Sequence, residues 1–491
     1  MARVIGLDFG TTNSAIAVAD TQRHATLASF KVGDATTTSF RSILYFPPKE
    51  RTTGETGAAH QSQLAGRARL ETKAGPEAIA SYLDSDTKGR LIVSIKSYLA
   101  SSLFTTTSIN GRNYTLEELI SLILKRLRSA AIAQLDTPAT RVVMGRPVRF
   151  SGAETEADEA LALERLKSAA ELAGFSEVSF EFEPVAAAYQ YETQLDHDEL
   201  VLIGDFGGGT SDFTLARLGP GRKSKGENPV IGTSGVAIAG DTFDSRIMMR
   251  LVAPQLGLGS NYISLGKTLP VPVWIYSQLS SWHHMFLLKD PKTMAVLREV
   301  KTQASEPEKV AALIQIISEN LGYALYRAVE ETKLELTDEE VATFKFPDSV
   351  ILRQSPVGMS HQVSEIGKLR SEISDLGSEI RTAAGPHGKS SSLRSETDAS
   401  TQLERWRFES WIQEDIQRIA SSVQSLLQKC GVKASDVDSV FLTGGSSFVP
   451  VVRRYFSKTF GATKLRSGDE LTTVAKGLAL RALEPDICFE L

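Results

Sequence analysis

The sequence is poor in cysteine and has no long apolar run. Its 491 residues include two cysteines, Cys430 and Cys488, which exclude a disulfide framework and favour a reducing, intracellular setting. No stretch of about 18 apolar residues occurs, so no transmembrane span is expected. The N-terminal apolar run meets Asp8 almost at once, too early for the roughly 7–15 apolar residues of a signal peptide. We therefore expect a cytoplasmic protein that does not enter a membrane.

A strong excess of charge of one sign is also missing. The formal net charge is −5, from 54 Lys and Arg residues against 59 Asp and Glu residues. This balance argues against a general nucleic-acid binder, which usually carries a strongly basic face. With 42% apolar and 23% charged residues, the composition is that of a globular protein, and the length suggests more than one domain.

Three segments share a strand followed by a glycine turn. Residues 3–19 and 199–217 each place an apolar run, an Asp, a Gly- and Thr-containing turn and a second apolar run in the same order. Residues 440–452 contain a third strand and glycine turn. Because the first two patterns repeat, we predict two hairpins in two similar lobes that face one another.

The segments between the hairpins predict an α/β fold. Helical spacing predicts helices over 115–135 and 153–174, and short apolar runs predict strands over 140–150 and 178–182. The polar stretch 49–76 predicts a loop.

Two segments look like additions to this pattern, namely residues 254–310 and 363–402. Five apolar residues of the second segment have heptad spacing: Ile366, Leu369, Ile373, Leu376 and Ile380. They cover only about two heptads, whereas a coiled coil usually needs three or four. One amphipathic helix docked on the body is the favoured interpretation, and a coiled coil is the alternative.

The glycine turns have the composition that a phosphate chain requires. Phosphate oxygens need backbone N–H donors at close range, hydroxyl donors, and nearby carboxylates that hold a hydrated Mg²⁺. Residues 8–13 (DFGTTN) supply these groups, residues 205–212 (DFGGGTSD) supply them again, and Gly444-Gly445-Ser446 adds a third turn. A tight hairpin explains any one of these turns alone. Three together indicate a phosphate site.

These motifs resemble those of a known ATPase superfamily. Asp8–Ser14 and LIGDFGGGTSDFTL (202–215) resemble the two phosphate loops of actin, sugar-kinase and heat-shock-chaperone ATPases, and VFLTGGSSFVPVVR (440–453) resembles their adenosine motif. FEPVAAAYQY (182–191) and VAKGLALRA (474–482) resemble the two connecting motifs. Over most of the chain, order and spacing resemble the DnaK-type heat shock protein 70 family. Segment 254–310 resembles the bacterial YegD-like, chaperone-like branch of that family.

The resemblance implies an actin-like ATPase (ribonuclease H-like) fold, in which two α/β lobes enclose a nucleotide cleft. Lobe I would comprise residues 1–191, with 469–491 returning to it, and lobe II would comprise residues 192–468. The implied ligands are ATP or ADP, Mg²⁺ and a monovalent cation such as K⁺, together with an unidentified protein partner or client.

The resemblance also implies a role for each site residue. Asp8 and Asp205 would hold Mg²⁺ through water, and Asp212 would bind a monovalent cation or order water. Lys96 would face the γ-phosphate and the attacking water, unless it is a solvated surface lysine. Glu183 would position that water. Thr210 would donate its hydroxyl to phosphate. Further predicted nucleotide contacts are Gly10, Thr11, Thr12, Asn13, Gly207, Gly208, Gly209, Gly240, Glu330, Lys333, Gly444, Gly445, Ser446 and Phe448.

The sequence departs from the family pattern in three places. Leu334 and Phe448 replace two arginines that pack on adenine, which would cost about 1 kcal/mol each and weaken nucleotide binding. Asp469 and Glu470 lie a few positions before the place expected for an acidic residue. The chain ends soon after the second connecting motif, so we expect the peptide-binding domain of a DnaK-type chaperone to be missing.

Three functions remain open at this point. The first is a chaperone-like enzyme that slowly hydrolyses Mg-ATP. The second is a nucleotide-gated binding or regulatory protein, such as a pseudo-ATPase or co-chaperone. The third is a small-molecule kinase of the sugar-kinase type, in which an acceptor hydroxyl replaces water. The intact set of Asp8, Glu183 and Asp205 favours the first.

Overall fold

A computed structural model describes residues 5–32, 35–48, 72–84, 89–135, 140–221, 228–281, 285, 288–347, 400–468, 472–484 and 487. The predicted heptad helix, Asp469, Glu470 and Cys488 lie outside these residues. Among the helices that the structure describes, none is long and apolar enough to cross a membrane.

The described residues form strands and helices in alternation. The strands are β1 Ile5–Phe9, β2 Asn13–Ala19, β3 Ala25–Leu27, β4 Phe30–Val32, β5 Ala35–Thr37, β6 Phe40–Arg41, β7 Leu44–Phe46, β8 Lys73–Ala74, β9 Arg90–Ile92, β10 Thr107–Ile109, β11 Arg112–Tyr114, β12 Arg141–Arg146, β13 Glu177–Phe182, β14 Glu199–Phe206, β15 Ser211–Leu218, β16 Val230–Val236, β17 Asn261–Ser264, β18 Lys267–Pro270, β19 Val341–Lys345, β20 Ser400–Glu404, β21 Ser439–Thr443 and β22 Leu465–Ser467. The helices are α1 Pro76–Asp84, α2 Leu116–Leu135, α3 Glu156–Leu172, α4 Glu183–Glu192, α5 Gly240–Ile247, α6 Val273–Ser280, α7 Pro291–Gln303, α8 Pro307–Ser318, α9 Gly322–Asp338, α10 Arg405–Trp411, α11 Gln413–Lys429, α12 Pro450–Phe460 and α13 Thr473–Arg481.

Two large sheets have the same topology. The first has the order β13-β12-β1-β2-β3, with β6 added to β2, and the second has the order β22-β21-β14-β15-β16. In each sheet three consecutive strands form an antiparallel meander, and two later strands extend it in parallel. The repeat seen in the sequence is therefore a repeat of strand order as well.

Each sheet is followed by a helix in the equivalent position. Helix α4 follows β13 and α13 follows β22, and the two helices cross at very short range. A Cβ on Gly477 of α13 would lie 1.7 Å from the carbonyl oxygen of Ala186 in α4. Helix α13 also touches the first sheet, because a Cβ on Gly6 would lie 2.2 Å from the amide nitrogen of Ala479.

Each sheet has its own apolar core. One cluster of fully buried side chains packs α2 and α3 on the first sheet, with Leu7, Ile120 and Leu166 at its centre. A larger cluster packs the second sheet against α5, α9 and α11, with Phe213, Phe243 and Val423 at its centre. Smaller clusters fill the space around α4 and α13.

The sequence predicted most of the elements that position the site. The two hairpins, α2, α3, β12 and β13 all form within a few residues of the predicted bounds. Helix α3 begins with a capping box, in which the Thr155 hydroxyl accepts from the amide of Asp158. The predicted loop 49–76 is wrong at its end, because Lys73–Ala74 pairs with β7 and α1 begins at Pro76.

Candidate nucleotide site

The two predicted phosphate loops are the turns of the equivalent hairpins, and they face one another. Gly10–Thr12 connects β1 to β2, and Gly207–Thr210 connects β14 to β15. A Cβ on Gly208 would lie 2.8 Å from the Thr12 hydroxyl, and one on Gly209 would lie 3.7 Å from the Thr11 hydroxyl. Glycine in the second turn thus leaves room between the turns that a larger residue would fill.

The third glycine turn closes the same cleft. Gly444 has a φ of +82° and lies against the carbonyl oxygen of Phe206, where a Cβ would come within 2.1 Å. Gly445 has open space where a Cβ would be. The Ser446 hydroxyl donates to the carbonyl of Gly207 at 3.4 Å, which ties this turn to the second phosphate loop.

The carboxylates at the ends of β1 and β14 lie close to Glu183, Asp8 partly buried and Asp205 buried. Asp205 is 8% exposed and lies opposite Asp212 in the hairpin register. Burial, together with the carboxylates of Glu183 and Asp205, raises the pKa of Asp8 well above its ordinary value. Burial and the charges of Glu183 and Asp212 raise the pKa of Asp205 in the same way. The cluster is therefore short of positive charge.

One lysine lies inside this cluster. Lys96, in the short 3₁₀ helix Ile95–Tyr98, donates from Nζ to Oε1 of Glu183 at 2.6 Å, and both side chains are buried. Burial by itself would lower the pKa of Lys96, but the carboxylates of Glu183 and Asp8 outweigh it and raise that pKa. Lys96 is not the solvated surface lysine that the sequence left open.

Asp212 lies just behind the loop. Its Oδ1 accepts from the backbone amide of Val148 at 2.9 Å. Burial, followed by the charge of Glu183, raises the pKa of Asp212 to about 7. One carboxylate oxygen of Asp212 is thus held by the backbone.

A second buried ion pair forms the opposite wall. Lys333 of α9 pairs with Asp244 of α5 at 2.8 Å, and the Tyr326 hydroxyl donates to Asp244 at 3.2 Å and to Asp241 at 3.4 Å. Burial and the charge of Asp244 raise the pKa of Asp241 to about 6. From this stretch of the sequence only Gly240 was predicted as a nucleotide contact, and neither aspartate had a predicted role.

Glu330 connects this wall to the first phosphate loop. Its Oε2 accepts from Arg41 at 3.1 Å and from Arg327 at 2.8 Å, and Arg41 also donates to the side chain of Asn13 at 3.4 Å. Burial would raise the pKa of Glu330, but the charges of Arg41 and Lys333 lower it below its ordinary value. Arg41, opposite Asn13 in the pairing of β2 with β6, was missed because only this pairing brings it to the cleft.

The structure brings almost all predicted site residues around one cavity of about 170 Å³. The lining includes the three glycine turns, six of the carboxylates described above and both lysines. Asp212 and Phe448 are not part of the lining; Phe448 is 40% exposed on the 3₁₀ turn after Gly444. Leu334 lines the cavity and is 48% exposed. Lining residues that carry no predicted role are Ser97, Pro147, Phe150, Ser151, Phe206, Asp241, Asp244, Tyr326 and Val474.

The donor set fits a hydrated metal ion rather than a directly ligated one. Within the described part of the chain, no three His, Cys, Asp or Glu side chains are grouped so that they could hold a metal together. Asp8 and Asp205 still offer two buried carboxylates beside the glycine turns. Mg²⁺ commonly keeps several waters and binds through one or two carboxylates plus substrate phosphates.

Comparison with known proteins gives the family. The model of the family described as "Hsp70 protein" matches residues 4–255 and 332–485, which is most of the chain, and the protein therefore belongs to the Hsp70 family. This membership confirms the predicted actin-like ATPase fold and a chaperone-like, nucleotide-binding class of protein.

A curated relative aligns over nearly the whole chain. The "Chaperone protein DnaK" of Deinococcus proteolyticus is 25% identical over 492 aligned positions, which cover 98% of this chain and 59% of the relative. The chain therefore spans about three fifths of the length of the curated relative that it matches.

Proposed function

We propose that this protein binds Mg-ATP between its three glycine turns and hydrolyses it slowly. The observation that carries the proposal is the buried cluster of Asp8, Glu183 and Asp205 with Lys96 between the two phosphate loops. Its carboxylates outnumber its one cation, so a bare triphosphate would be repelled. A nucleotide that arrives with a divalent cation removes that conflict, because the cation neutralises both the phosphates and the carboxylates.

Each residue of the cluster then has a defined task. Asp8 and Asp205 hold the hydrated Mg²⁺, which supplies charge neutralisation at the phosphate oxygens. Glu183 orients the attacking water. Lys96 holds Glu183 in place through the 2.6 Å hydrogen bond from Nζ to Oε1, and Lys96 also faces the γ-phosphate. Hydroxyls of Thr11, Thr12 and Thr210 donate to phosphate oxygens. In phosphoryl transfer such positioning and charge neutralisation supply most of the rate.

The same ion pair gives a reason for slow turnover. Lys96 occupies Oε1 of Glu183 with a hydrogen bond of 2.6 Å, so we propose that Glu183 acts on the attacking water by positioning it rather than by taking its proton. A monovalent cation such as K⁺ beside Asp212 would keep that buried carboxylate ionised. We propose that nucleotide state is read by a protein partner or client, as in a chaperone cycle, and that the protein acts in the cytoplasm.

The nucleotide base would be held without the two arginines that the family pattern led us to expect. Ser446 and the Gly444–Gly445 backbone lie on one side, and Glu330, Lys333 and Leu334 lie on the other. With Leu334 in place of an arginine, contact with adenine is apolar and partly open to water. Weak binding of nucleotide is therefore part of the proposal.

Phosphate release tests the proposal against the two other functions. The full chain is incubated with ATP at saturating Mg²⁺ and K⁺, with and without a panel of sugars, and both inorganic phosphate and phosphorylated sugar are measured. We expect slow phosphate release that no sugar alters. ATP binding with no phosphate release would instead support a nucleotide-gated binding protein, and a sugar phosphate would support a kinase.

A further inference from the structure

A second cavity, of about 520 Å³, lies apart from the nucleotide site and shares no lining residue with it. One side is built by α1, β9, β10 and the start of α2, and the other side by the end of α8, the start of α9 and the segment before α7. Ligand pockets in proteins usually have volumes of about 300–1,000 Å³. The cavity is therefore large enough for a small molecule.

Part of the cavity lining is apolar and almost completely buried. Ile95, Leu119, Ile316 and Ile317 line it, and each is at most 2% exposed. Such side chains are buried by the protein itself and form a rigid apolar surface. A ligand would gain roughly 25 cal/mol for each Å² of its own apolar surface that it removes from water here.

Aromatic rings form the walls. Tyr82 of α1 meets Tyr323 of α9 edge to face, with ring centroids 6.1 Å apart, and Tyr98 packs on Phe104 at 5.3 Å. The Tyr82 hydroxyl donates to the carbonyl of Asn320 at 2.7 Å, which ties the two sides of the cavity together. The walls therefore suit a flat or chain-like apolar body.

Two cationic side chains, Arg90 and Lys289, line the cavity. Arg90 donates from Nη1 to the carbonyl of Ser108 at 2.9 Å, and Lys289 donates from Nζ to the side-chain oxygen of Asn320. Burial lowers the pKa of Arg90, and burial followed by the charge of Arg90 lowers the pKa of Lys289. Among the described residues that line the cavity, none is an Asp or a Glu. The cavity thus combines apolar walls with positive charge.

We infer that this cavity binds a small amphipathic anion, with an aromatic or aliphatic body in the apolar part and a carboxylate or other acidic head group between Arg90 and Lys289. An anionic head group in this position would be attracted by both cationic side chains. The hydrogen bonds that it accepts would be charge-assisted, and such bonds are stronger than neutral ones. The segment 254–310, which the nucleotide site does not use, supplies Lys289 and therefore contributes to this ligand site.

Fluorescence titration of the nucleotide-free full chain tests the inference. The probe is 8-anilinonaphthalene-1-sulfonate, which has an apolar aromatic body and one anionic group. We expect binding by the unaltered chain, and a dissociation constant raised about tenfold or more in the double variant Arg90→Gln, Lys289→Gln, because two charge-assisted contacts are lost. The matched control is Arg112→Gln on β11, an exposed arginine that does not line the cavity.

A competition experiment separates the anionic head group from apolar affinity alone. Decanoate should displace the probe from the unaltered chain, and decanol, which has no charge, should do so at least tenfold less well. Equal displacement by decanol, or an unchanged dissociation constant in the double variant, would overturn the inference. If near-ultraviolet circular dichroism shows that the double variant is misfolded, Lys289→Gln alone is used, and the same increase in the dissociation constant, smaller in size, is expected.

Discussion

Lys96 and Glu183 form the buried ion pair on which the site is organised. The two side chains are 8% and 10% exposed, and they come from a 3₁₀ turn and from the first residue of α4. A pair of this kind contributes little net stability, because taking both charges out of water costs about as much as their attraction returns. Removing one partner is strongly destabilising, because the other side chain then stays buried without its partner.

Replacing Lys96 should therefore affect stability as well as activity. We predict that Lys96→Met lowers the free energy of unfolding by about 3–5 kcal/mol, because it leaves Glu183 ionised and buried without its lysine. Urea denaturation measures this change. The double variant Lys96→Met, Glu183→Gln should recover most of the loss in stability without recovering ATP turnover. A double variant no more stable than Lys96→Met would contradict the account.

The buried carboxylate of Asp212 predicts a dependence of stability on pH. Its pKa is about 7 in the folded protein, against 3.8 for an ordinary aspartate, so the folded state holds the proton more tightly than the unfolded state does. The stability that this proton contributes is lost as pH rises from about 4 to about 7. The Asp212→Asn variant cannot ionise at this position. We therefore predict that its free energy of unfolding rises relative to that of the unaltered chain over this pH range, by on the order of a few kcal/mol at pH 8.

Urea unfolding of nucleotide-free protein at several pH values measures the effect of Asp212→Asn. The control is Glu171→Gln, at an exposed position of α3, whose difference from the unaltered chain should vary little with pH. A difference for Asp212→Asn that is constant from pH 5 to pH 8 would show that the carboxylate is not buried in the way described.

At this scale, the sequence predicted the residues of the glycine turns, and the family resemblance added Lys96, Glu330 and Lys333, but Arg41 and the two aspartates of α5 were missed. Asp8 and Asp205 were predicted because they stand beside the turns that they serve. Asp241 contacts Tyr326, 85 residues further along the chain, and Asp244 pairs with Lys333, 89 residues further along, and no local spacing reports such contacts. The roles of all these residues in catalysis stay predictions.

Helices α4 and α13 are the elements that join the two equivalent sheets. Gly477 is in the contact because the backbones are so close that a methyl group would overlap the Ala186 carbonyl. A helix interior usually disfavours glycine by about 1 kcal/mol relative to alanine, so this glycine is present for packing.

A matched pair of glycine variants separates helix packing from ligand binding. We predict that Gly477→Ala destabilises the protein by about 1–3 kcal/mol or more, because two helix backbones must move apart. Gly445→Ala has open space for its methyl group and should leave the free energy of unfolding almost unchanged, while it weakens nucleotide binding, because that space belongs to the cleft. Urea denaturation and calorimetric titration with Mg-ATP measure the two effects, and a reversed pattern would contradict the assignment of the cleft.

Helices and hairpins with signals in their own sequence were predictable. Strands that form only by pairing with a distant strand were not. The hairpins around Gly10 and Gly208 follow from turn chemistry, and α3 follows from its cap and periodicity. Strand β8 has two residues and exists only because β7 pairs with it, so the sequence predicted a loop there. The parallel addition of β21 to β14 joins Asp205 to Thr443, and no local pattern reveals such a distant partner.

At the scale of the whole molecule, two sheets have the same strand order. Each sheet carries one phosphate loop at the equivalent turn, and the two loops face one another. The division into lobes at residues 191 and 468 stays a prediction. Contacts such as Arg41 with Glu330 and Tyr82 with Asn320 link residues far apart in sequence. Membership of the Hsp70 family agrees with this arrangement.

The most direct test of the central claim compares γ-phosphate release by the unaltered chain and by Asp205→Asn in a single turnover, with protein in excess of ATP and with saturating Mg²⁺ and K⁺. Asparagine keeps the shape of the side chain and removes the charge that would hold the hydrated Mg²⁺. The account predicts slow phosphate release by the unaltered chain and a loss of at least about a hundredfold in the variant, a factor of the size that general positioning and charge effects supply. Equal release by both proteins would show that the cluster of Asp8, Glu183 and Asp205 is not the catalytic centre.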